Sequence, residues 1–209
     1  MFPTIFCAVM GSTPGLIFVF LIAVVLSIIC ASAINKSSII TGVADPDPRP
    51  IGGGLILVAI VLIVRVIWIT IQFFTGEFWL DNFWEQVNYN YGMHGTLRAG
   101  VTLIYIEIFN YGINFVATIF VTYLFFKQRD IFPKAASWLF IGSAIIHLTD
   151  TAVAHLLINS KMEPLFVLGF GLVGILASIF LYYINFSDRS RETFTVPHHS
   201  LIIEEYPVP

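Results

Sequence analysis

A stripe of polar side chains interrupts one long apolar run in the second half of the chain, Ala135 to Ile158. Ser143, His147, Thr151 and His155 recur at every fourth position, and Asp150 lies beside them. Residues four apart share one face of a helix, so a helix through this run has one polar face. Charged and imidazole groups are costly in hydrocarbon and must face protein or water. The stripe therefore marks the interior of a helix bundle.

Two other apolar runs carry polar groups at a similar depth. One contains a second polar stripe, formed by Glu107, Asn110, Asn114, Thr118 and Thr122. The other contains Arg65. At about 1.5 Å per residue, Arg65, Glu107 and Asp150 all lie roughly 12 to 17 Å from the outer membrane boundary. His147 lies at the same depth, so we expect these groups to meet.

The cost of burying the charge of Arg65 predicts which of these groups it contacts. An unpaired arginine at this depth costs about 2.5 to 3.5 kcal/mol even on a mild insertion scale. We therefore predict that Arg65 pairs with Glu107, with Asp150, or with both. The predicted buried polar cluster consists of Arg65, Glu107, Asn110, Asn114, His147, Asp150 and His155.

Three functions are open to this cluster. In the first, it only fixes the register of the helices in a non-enzymatic structural or accessory protein, since buried ion pairs can serve specificity without chemistry. In the second, it lines a water-accessible cavity of a proton- or ion-coupled transporter for a polar solute. His147 and His155 would then exchange protons near neutral pH.

The third function is a membrane-embedded, metal-dependent hydrolase. His147, Asp150 and His155 lie on one side of a helix, and Glu107 could supply a fourth ligand. The signal is weak, because the chain has neither a His-Glu-x-x-His motif nor a cysteine ligand pair. The sequence also lacks a nucleophile turn for a serine. We assign no catalytic residue, no metal and no cofactor.

The composition indicates an integral membrane protein. Of 209 residues, 57% are hydrophobic and 11% are charged, against about 45 to 50% and about 25% in soluble domains. No basic run suggests nucleic acid. Cys7 and Cys30 have neither metal spacing nor a disulfide framework. The expected surroundings are a lipid bilayer, with room for a membrane-protein partner, and the oligomeric state is left open.

Five apolar runs are long enough to cross about 30 Å of hydrocarbon. They are Leu16 to Ile34, Ile51 to Phe74, Leu97 to Phe126, Ala135 to Ile158 and Pro164 to Ile184. The predicted fold class is an all-α polytopic membrane helix bundle with five transmembrane helices. The chain divides into an N-terminal transmembrane segment (1–35), a proline-rich cytoplasmic linker (36–50), a four-helix membrane domain (51–186) and a cytoplasmic tail (187–209).

The first run also has an alternative interpretation as a secretory signal cleaved after Ala33. Residues 1–15 contain no Lys or Arg, which disfavours a signal peptide.

A short amphipathic helix is predicted between Gly76 and Gly95. Its apolar face contains Trp79, Leu80, Phe83, Trp84 and Val87, and its polar face contains Asp81, Asn82, Glu85 and Gln86. Because Trp and Tyr favour the membrane interface, this helix should lie flat at the headgroup level.

The positions of Lys and Arg predict the orientation. One side of the membrane would hold Lys36, Arg49, Lys127, Arg129, Lys134, Arg189 and Arg191. The other side would hold only Arg98 and Lys161. Since Lys and Arg accumulate in cytoplasmic loops, the amino terminus is expected outside and the carboxyl terminus inside.

Three motifs on the predicted cytoplasmic side resemble a known family. They are Ile51-Gly52-Gly53-x-Leu55, then Phe125-Phe126-Lys127-x-Arg129-x-x-x-Pro133-Lys134, and Tyr183-x-x-x-Ser187-x-Arg189-x-Arg191-x-Thr193-Phe194. Over about residues 49–196 the chain resembles the YdgK-like bacterial inner-membrane family, domain of unknown function 2569. The resemblance implies a four-helix unit in the bacterial inner membrane, with both ends cytoplasmic and no established biochemical role. The chain departs from the family in Gly54, in Ser190 and in its additional N-terminal helix.

The same motifs predict a cytoplasmic anchor formed by Lys127, Arg129, Lys134, Ser187, Arg189 and Arg191. Anionic headgroups would attract each basic residue by about 1 kcal/mol. The alternative is that these residues grip a cytoplasmic partner.

Overall fold

The computed structural model describes residues 13–36, 48–76, 80, 82–93, 95–157 and 164–196. Within them the chain forms seven helices and no strand. The helices are α1 (Thr13–Asn35), α2 (Gly54–Thr75), α3 (Phe83–Gly92), α4 (Leu97–Phe126), α5 (Phe132–Leu157), α6 (Pro164–Phe186) and α7 (Asp188–Thr193). The predicted all-helical class is confirmed.

Four helices, α1, α2, α4 and α5, are long and apolar enough to cross a membrane. Their outer surfaces carry large apolar side chains, such as Leu57 and Trp138, which are 68% and 71% exposed. Such surfaces are stable only against lipid or another apolar surface. The fifth predicted span corresponds to α6, which is 23 residues long.

Helix α4 is the central element, because α1, α2, α3 and α5 all pack against it. The contact with α1 is the most extensive. There Gly112 lets the backbones approach, since a Cβ atom added to it would lie 2.6 Å from the Ala23 Cβ and 3.0 Å from the Phe20 carbonyl oxygen. The Phe20 ring also stacks on Phe73 of α2, with ring centroids 4.0 Å apart. Helix α1 is therefore an integral part of the bundle.

One end of the bundle is closed by main-chain hydrogen bonds between three segments, and we call it the basic end. The Asp130 amide donates to the Val196 carbonyl (3.1 Å), and the Val196 amide donates to the Gln128 carbonyl (3.2 Å). The Gln128 side chain donates to the Arg49 carbonyl (2.9 Å). Beneath these bonds lies an apolar cluster that includes Leu62, Leu124, Phe125, Phe132 and Phe194. The loop between α4 and α5, the segment before α2 and the segment after α7 are thus joined.

The opposite end of the bundle carries α3. Val87 of α3 is buried in an apolar cluster with Leu16 of α1 and Ile104 and Ile108 of α4. The observed helix is shorter than the predicted segment, and Trp79 and Asp81 lie outside the described residues.

The two faces of α3 follow the amphipathic pattern for most residues. Trp84 packs against the bundle, while Glu85 and Gln86 are exposed. Leu80, which was predicted on the apolar face, is 55% exposed because it precedes the helix.

The close contact at Gly112 generates a stability prediction. Gly112→Ala should destabilise the bundle by about 1 to 3 kcal/mol, because the added methyl group overpacks the contact between α1 and α4. The matched control is Gly174→Ala in α6, where an added Cβ meets nothing within 4 Å. Both changes gain the same helix propensity, so the control should be neutral or stabilising. Thermal unfolding in detergent measures the difference, and equal melting temperatures for the two variants would contradict it.

Candidate functional site

Arg65 projects from the middle of α2 toward both α4 and α5. Its Nη2 atom donates to Ser143 Oγ (2.7 Å) and to Asn114 Oδ1 (3.4 Å). Its Nε atom donates to Thr118 Oγ1 (3.3 Å). The guanidinium carbon lies 4.9 Å from the centroid of the Phe140 ring, whose face attracts a cation. One side chain therefore joins three helices.

Ser143 and Asn114 support the guanidinium group and each other. Ser143 is buried, and its Oγ lies 2.5 Å from Asn114 Oδ1 and 2.6 Å from the Leu139 carbonyl oxygen. A hydroxyl group has one proton, so Ser143 donates to one of these two acceptors at a time while it accepts from Arg65. The Asn114 amide donates to the Asn110 carbonyl (3.1 Å). The acceptors of the half-buried guanidinium group are thus neutral oxygen atoms.

The predicted ion pair of Arg65 with Glu107 or Asp150 is wrong. In the part of the chain that the structure describes, the ion pair that forms joins Arg49 to Glu192 at the basic end. The direction of the side chains explains the difference, because each Cα–Cβ bond tilts toward the N-terminus of its own helix. Helix α2 starts at the basic end and α4 starts at the α3 end, so Arg65 and Glu107 lean apart.

The partners of Arg65 lie nearer the basic end than the acidic residues do. Asn114 follows Glu107 by seven residues, and Ser143 precedes Asp150 by seven residues. Seven residues of helix correspond to about 10 Å at about 1.5 Å per residue. The two acidic groups therefore belong to a separate level of the bundle.

Glu107 and Asp150 contact each other at that level. Their side chains lie close enough to interact electrostatically, and the buried Asp150 Oδ1 atom has no hydrogen-bond partner among the described residues. Since an ionised carboxylate can only accept, a hydrogen bond between two carboxyl groups requires a proton on one of them. We call these two residues the carboxyl pair.

A cavity of about 350 Å³, the central cavity, connects Arg65 with the carboxyl pair. Its lining residues are Arg65, Trp68, Ile69, Glu107, Asn110, Tyr111, Asn114, Ile146, His147 and Asp150. The structure thus brings the predicted buried polar residues around one space, with the exception of His155, which lies in the last turn of α5. The central cavity has a cation at one level and the carboxyl pair at another.

A second cavity of about 520 Å³, the α3 cavity, lies between α3 and the ends of α2 and α4. Gln72, Gln86, Asn90 and Tyr91 are among its polar lining residues. Glu107 and Tyr111 line both cavities, so the α3 cavity leads to the carboxyl pair.

Sequence reasoning missed the two tyrosines. Tyr111 follows Glu107 by four residues, and this spacing could have placed it on the same helix face. Tyr91 of α3 lies over Gly100 of α4, where a Cβ atom would meet its ring. Burial raises the pKa of the Tyr91 phenol, and the negative charges of Glu107 and Asp150 raise it further. Tyr91 therefore lies near enough to the carboxyl pair for its phenol to feel their charge.

The geometry does not assemble the hypothesised metal site. Among the residues that the structure describes, no three His, Cys, Asp or Glu side chains lie close enough to hold a metal ion. Glu107 and Asp150 meet, but His147 is exposed on α5 and His155 lies at the end of that helix. The four residues proposed as ligands therefore do not form one ligand set.

The predicted cytoplasmic anchor has an internal role at the basic end. Arg129 is buried and its Nη2 donates to the Asn35 carbonyl of α1 (3.0 Å). Arg189 Nη2 donates to the Pro50 carbonyl (2.9 Å). Ser187 caps α7 by accepting a bond from the Ser190 amide (3.2 Å). Arg129, Arg189 and Ser187 therefore form hydrogen bonds within the protein at the basic end.

The other three anchor residues, Lys127, Lys134 and Arg191, are exposed. The predicted attraction to anionic lipid headgroups therefore concerns these three residues.

Both family departures within the motifs have local explanations. A Cβ atom at Gly54 would lie 2.6 Å from the Tyr183 hydroxyl, so glycine lets the start of α2 approach α6. Ser190 is buried, and its hydroxyl donates to the Ile184 carbonyl (2.5 Å).

The comparison with known families agrees with the motifs. A family model described as "Protein of unknown function (DUF2569)" matches residues 48–195. The match spans more than half of the chain, so the chain belongs to this family. The matched range begins just before α2, and α1 lies outside it. No curated protein and no solved structure matches the chain significantly.

The Arg65 contacts predict how substitutions combine. Arg65→Met and Ser143→Ala should each destabilise the protein, and their combination should show a coupling of about 0.5 to 1.7 kcal/mol, because they remove the same hydrogen bond. Ser178→Ala is the control, since Ser178 is exposed on α6 and, among the described residues, bonds only the Gly174 carbonyl (2.8 Å). Its effect should add to that of Arg65→Met within about 0.5 kcal/mol. Unfolding in detergent measures all three.

A larger coupling of Arg65→Met with Glu107→Gln than with Ser143→Ala would contradict this network. It would instead support the ion pair that the sequence predicted.

Proposed function

We propose that this DUF2569 protein is a non-enzymatic, proton-coupled carrier of a small polar solute. In this proposal the central cavity binds the solute and the carboxyl pair binds the proton. The observation that carries it is that Arg65, Glu107 and Asp150 line one cavity of about 350 Å³ without neutralising one another. Ionisable groups inside a membrane are expensive and typically mark solute or proton pathways.

The state of the charges supports solute binding. The partners of Arg65 are neutral oxygen atoms, so its positive charge is not cancelled by a neighbouring carboxylate. A negatively charged or strongly polar group of a solute would find this charge at the inner end of the cavity. Hydrogen bonds to charged groups are worth about 1.5 to 3 kcal/mol, which suits reversible binding.

The two connected cavities support a route to the site. Glu107 and Tyr111 line both the α3 cavity and the central cavity, so the proposed route enters beneath α3 and passes the carboxyl pair. On the other side of the central cavity lies the apolar cluster of the basic end. A carrier that is open on one side and closed on the other has the arrangement that alternating access requires.

The proposed membrane placement has five spans in the bacterial inner membrane. The 23 residues of α6 would extend about 35 Å at about 1.5 Å per residue, enough for a fifth span. The basic end carries Lys127, Lys134 and Arg191 on its exposed surface, so we place it in the cytoplasm with the carboxyl terminus. The amino terminus and α3 would then lie on the outer side.

A structural or accessory role is the second candidate. The contacts of Arg65 tie α2, α4 and α5 together whether or not a solute binds. Buried polar groups can specify one helix arrangement without taking part in transport. The two candidates differ in whether water reaches the carboxyl pair.

Thiol labelling tests that difference. In a background with Cys7→Ala and Cys30→Ala, Asp150→Cys should react with a charged, membrane-impermeant thiol reagent, because position 150 lines the central cavity, which the proposed route connects to water through the α3 cavity. The control is Leu148→Cys, which lies two residues away and is 52% exposed on the lipid side. We expect labelling at position 150 to be about tenfold faster, since a thiol in hydrocarbon stays protonated and unreactive. Equal protection of both cysteines under all conditions would favour the structural role.

Infrared spectroscopy tests the proton on the carboxyl pair. The protein should show a band of a protonated carboxyl group that disappears in Glu107→Gln and in Asp150→Asn. In each variant the new amide donates to the remaining carboxylate, so the bond no longer requires a bound proton. Glu85→Gln, an exposed position on α3, is the control and should keep the band. Persistence of the band in both cavity variants would contradict a shared proton.

A further inference from the structure

A groove of about 540 Å³ runs along α4 and α5 on a side of the bundle separate from the α3 cavity. Ile34, at the end of α1, contributes to one wall, and Ala117 and Gly142 lie along it. Trp138, another lining residue, is 71% exposed. The groove therefore opens sideways, toward the lipid that surrounds a membrane protein.

The groove has the length of one leaflet. On α5 its lining extends from Lys134, in the first turn, to Ile146, twelve residues later. Twelve residues of helix span about 18 Å, and half of the hydrocarbon core is about 15 Å thick. An acyl chain that starts at the membrane surface would reach the middle of the bilayer along this path.

The two ends of the groove differ in chemistry. Its lining is mostly apolar, whereas Lys134 supplies a positive charge at the membrane surface. The Lys134 side chain is exposed, and among the described residues no hydrogen bond or ion pair engages it. An ammonium group beside an apolar path complements a molecule with an anionic head and a hydrocarbon tail.

The walls of the groove are held in place by neighbouring contacts. Arg129 Nη2 donates to the Asn35 carbonyl (3.0 Å) and so fixes the end of α1, next to Ile34, against the loop that precedes α5. At the inner end, Asn114 and Ser143 line the groove and are fixed by Arg65. The groove is therefore a preformed feature between α1 and the family-matched helices.

We infer that this groove binds one anionic phospholipid of the leaflet at the basic end. One acyl chain lies along α4 and α5, and the phosphate group binds Lys134 Nζ. The groove adjoins the central cavity, because Asn114 and Ile146 line both, but the two are entered differently. The solute route enters at α3, whereas the lipid enters from the side at the basic end. The inference does not depend on carrier activity.

Native mass spectrometry of the purified full chain tests the inference. Phosphatidylglycerol and phosphatidylcholine of equal chain length are added separately, and bound lipid is counted. The wild type should bind phosphatidylglycerol about fivefold more tightly, which is the contribution expected of one basic residue. Lys134→Gln should remove this preference. Lys127→Gln changes another exposed lysine at the basic end that does not line the groove, and it should keep the preference.

A second pair of variants tests the path of the acyl chain. An added Cβ at Gly142 meets nothing within 4 Å, so Gly142→Phe places its ring in the groove. This variant should lower the binding of both lipids about tenfold or more, because it fills space that a chain must occupy. Gly171→Phe is the control, since Gly171 also has open space around its Cβ and lies on α6 away from the groove. If the bulky ring disturbs folding, the comparison of Lys134→Gln with Lys127→Gln still tests whether the lipid headgroup binds at Lys134.

Three results would overturn the inference. Equal loss of lipid preference in the two lysine variants would indicate diffuse attraction to the basic end. Unchanged lipid binding in Gly142→Phe would place the lipid elsewhere. A dimer in the wild type that dissociates in Gly142→Phe, without bound lipid, would identify the groove as an interface between copies of this chain.

Discussion

The burial of one guanidinium group at mid-membrane depth is the constraint on which the rest of the structure depends. Arg65 cannot face lipid without a large cost, so it must find acceptors on neighbouring helices. It finds them in Asn114, Thr118 and Ser143, which lie on two different helices. These contacts fix how α2 sits against α4 and α5. They also place Arg65 toward the basic end, away from the carboxyl groups.

The choice of neutral acceptors is what leaves a cavity in the bundle. Had Arg65 paired with Glu107 or Asp150, the charges would have cancelled across a short distance and the helices could have closed around them. Instead the carboxyl pair lines the cavity at another level. The space between the two levels is the central cavity of about 350 Å³. A separated cation and carboxyl pair are costly to maintain, which is why such an arrangement favours a functional interpretation.

The sequence predicted six of the residues that line the central cavity but not which of them touch. Spacing by four identifies a polar helix face, and on α5 it placed His147 with Asp150, which both line the central cavity, whereas Ser143 bonds Arg65 instead. Pairing depends on the relative depth of antiparallel helices and on the lean of each side chain toward its own N-terminus. An uncertainty of seven residues, about 10 Å, exchanges one partner for another. The position of Tyr91 could not be predicted for a different reason, since its place over Gly100 depends on how α3 folds back on α4.

The two ends of the bundle are held by different kinds of contact, and this decides where it can open. At the basic end, buried aromatic rings lie beneath hydrogen bonds that join three segments, including the Arg129 and Arg189 side chains. At the other end, α3 is held mainly by the apolar contacts of Val87, Trp84 and Tyr91. Segments with few buried contacts open at lower free energy than segments tied by buried networks. Movement of α3 is therefore the less costly way to change access to the carboxyl pair, while the family motifs keep the basic end closed.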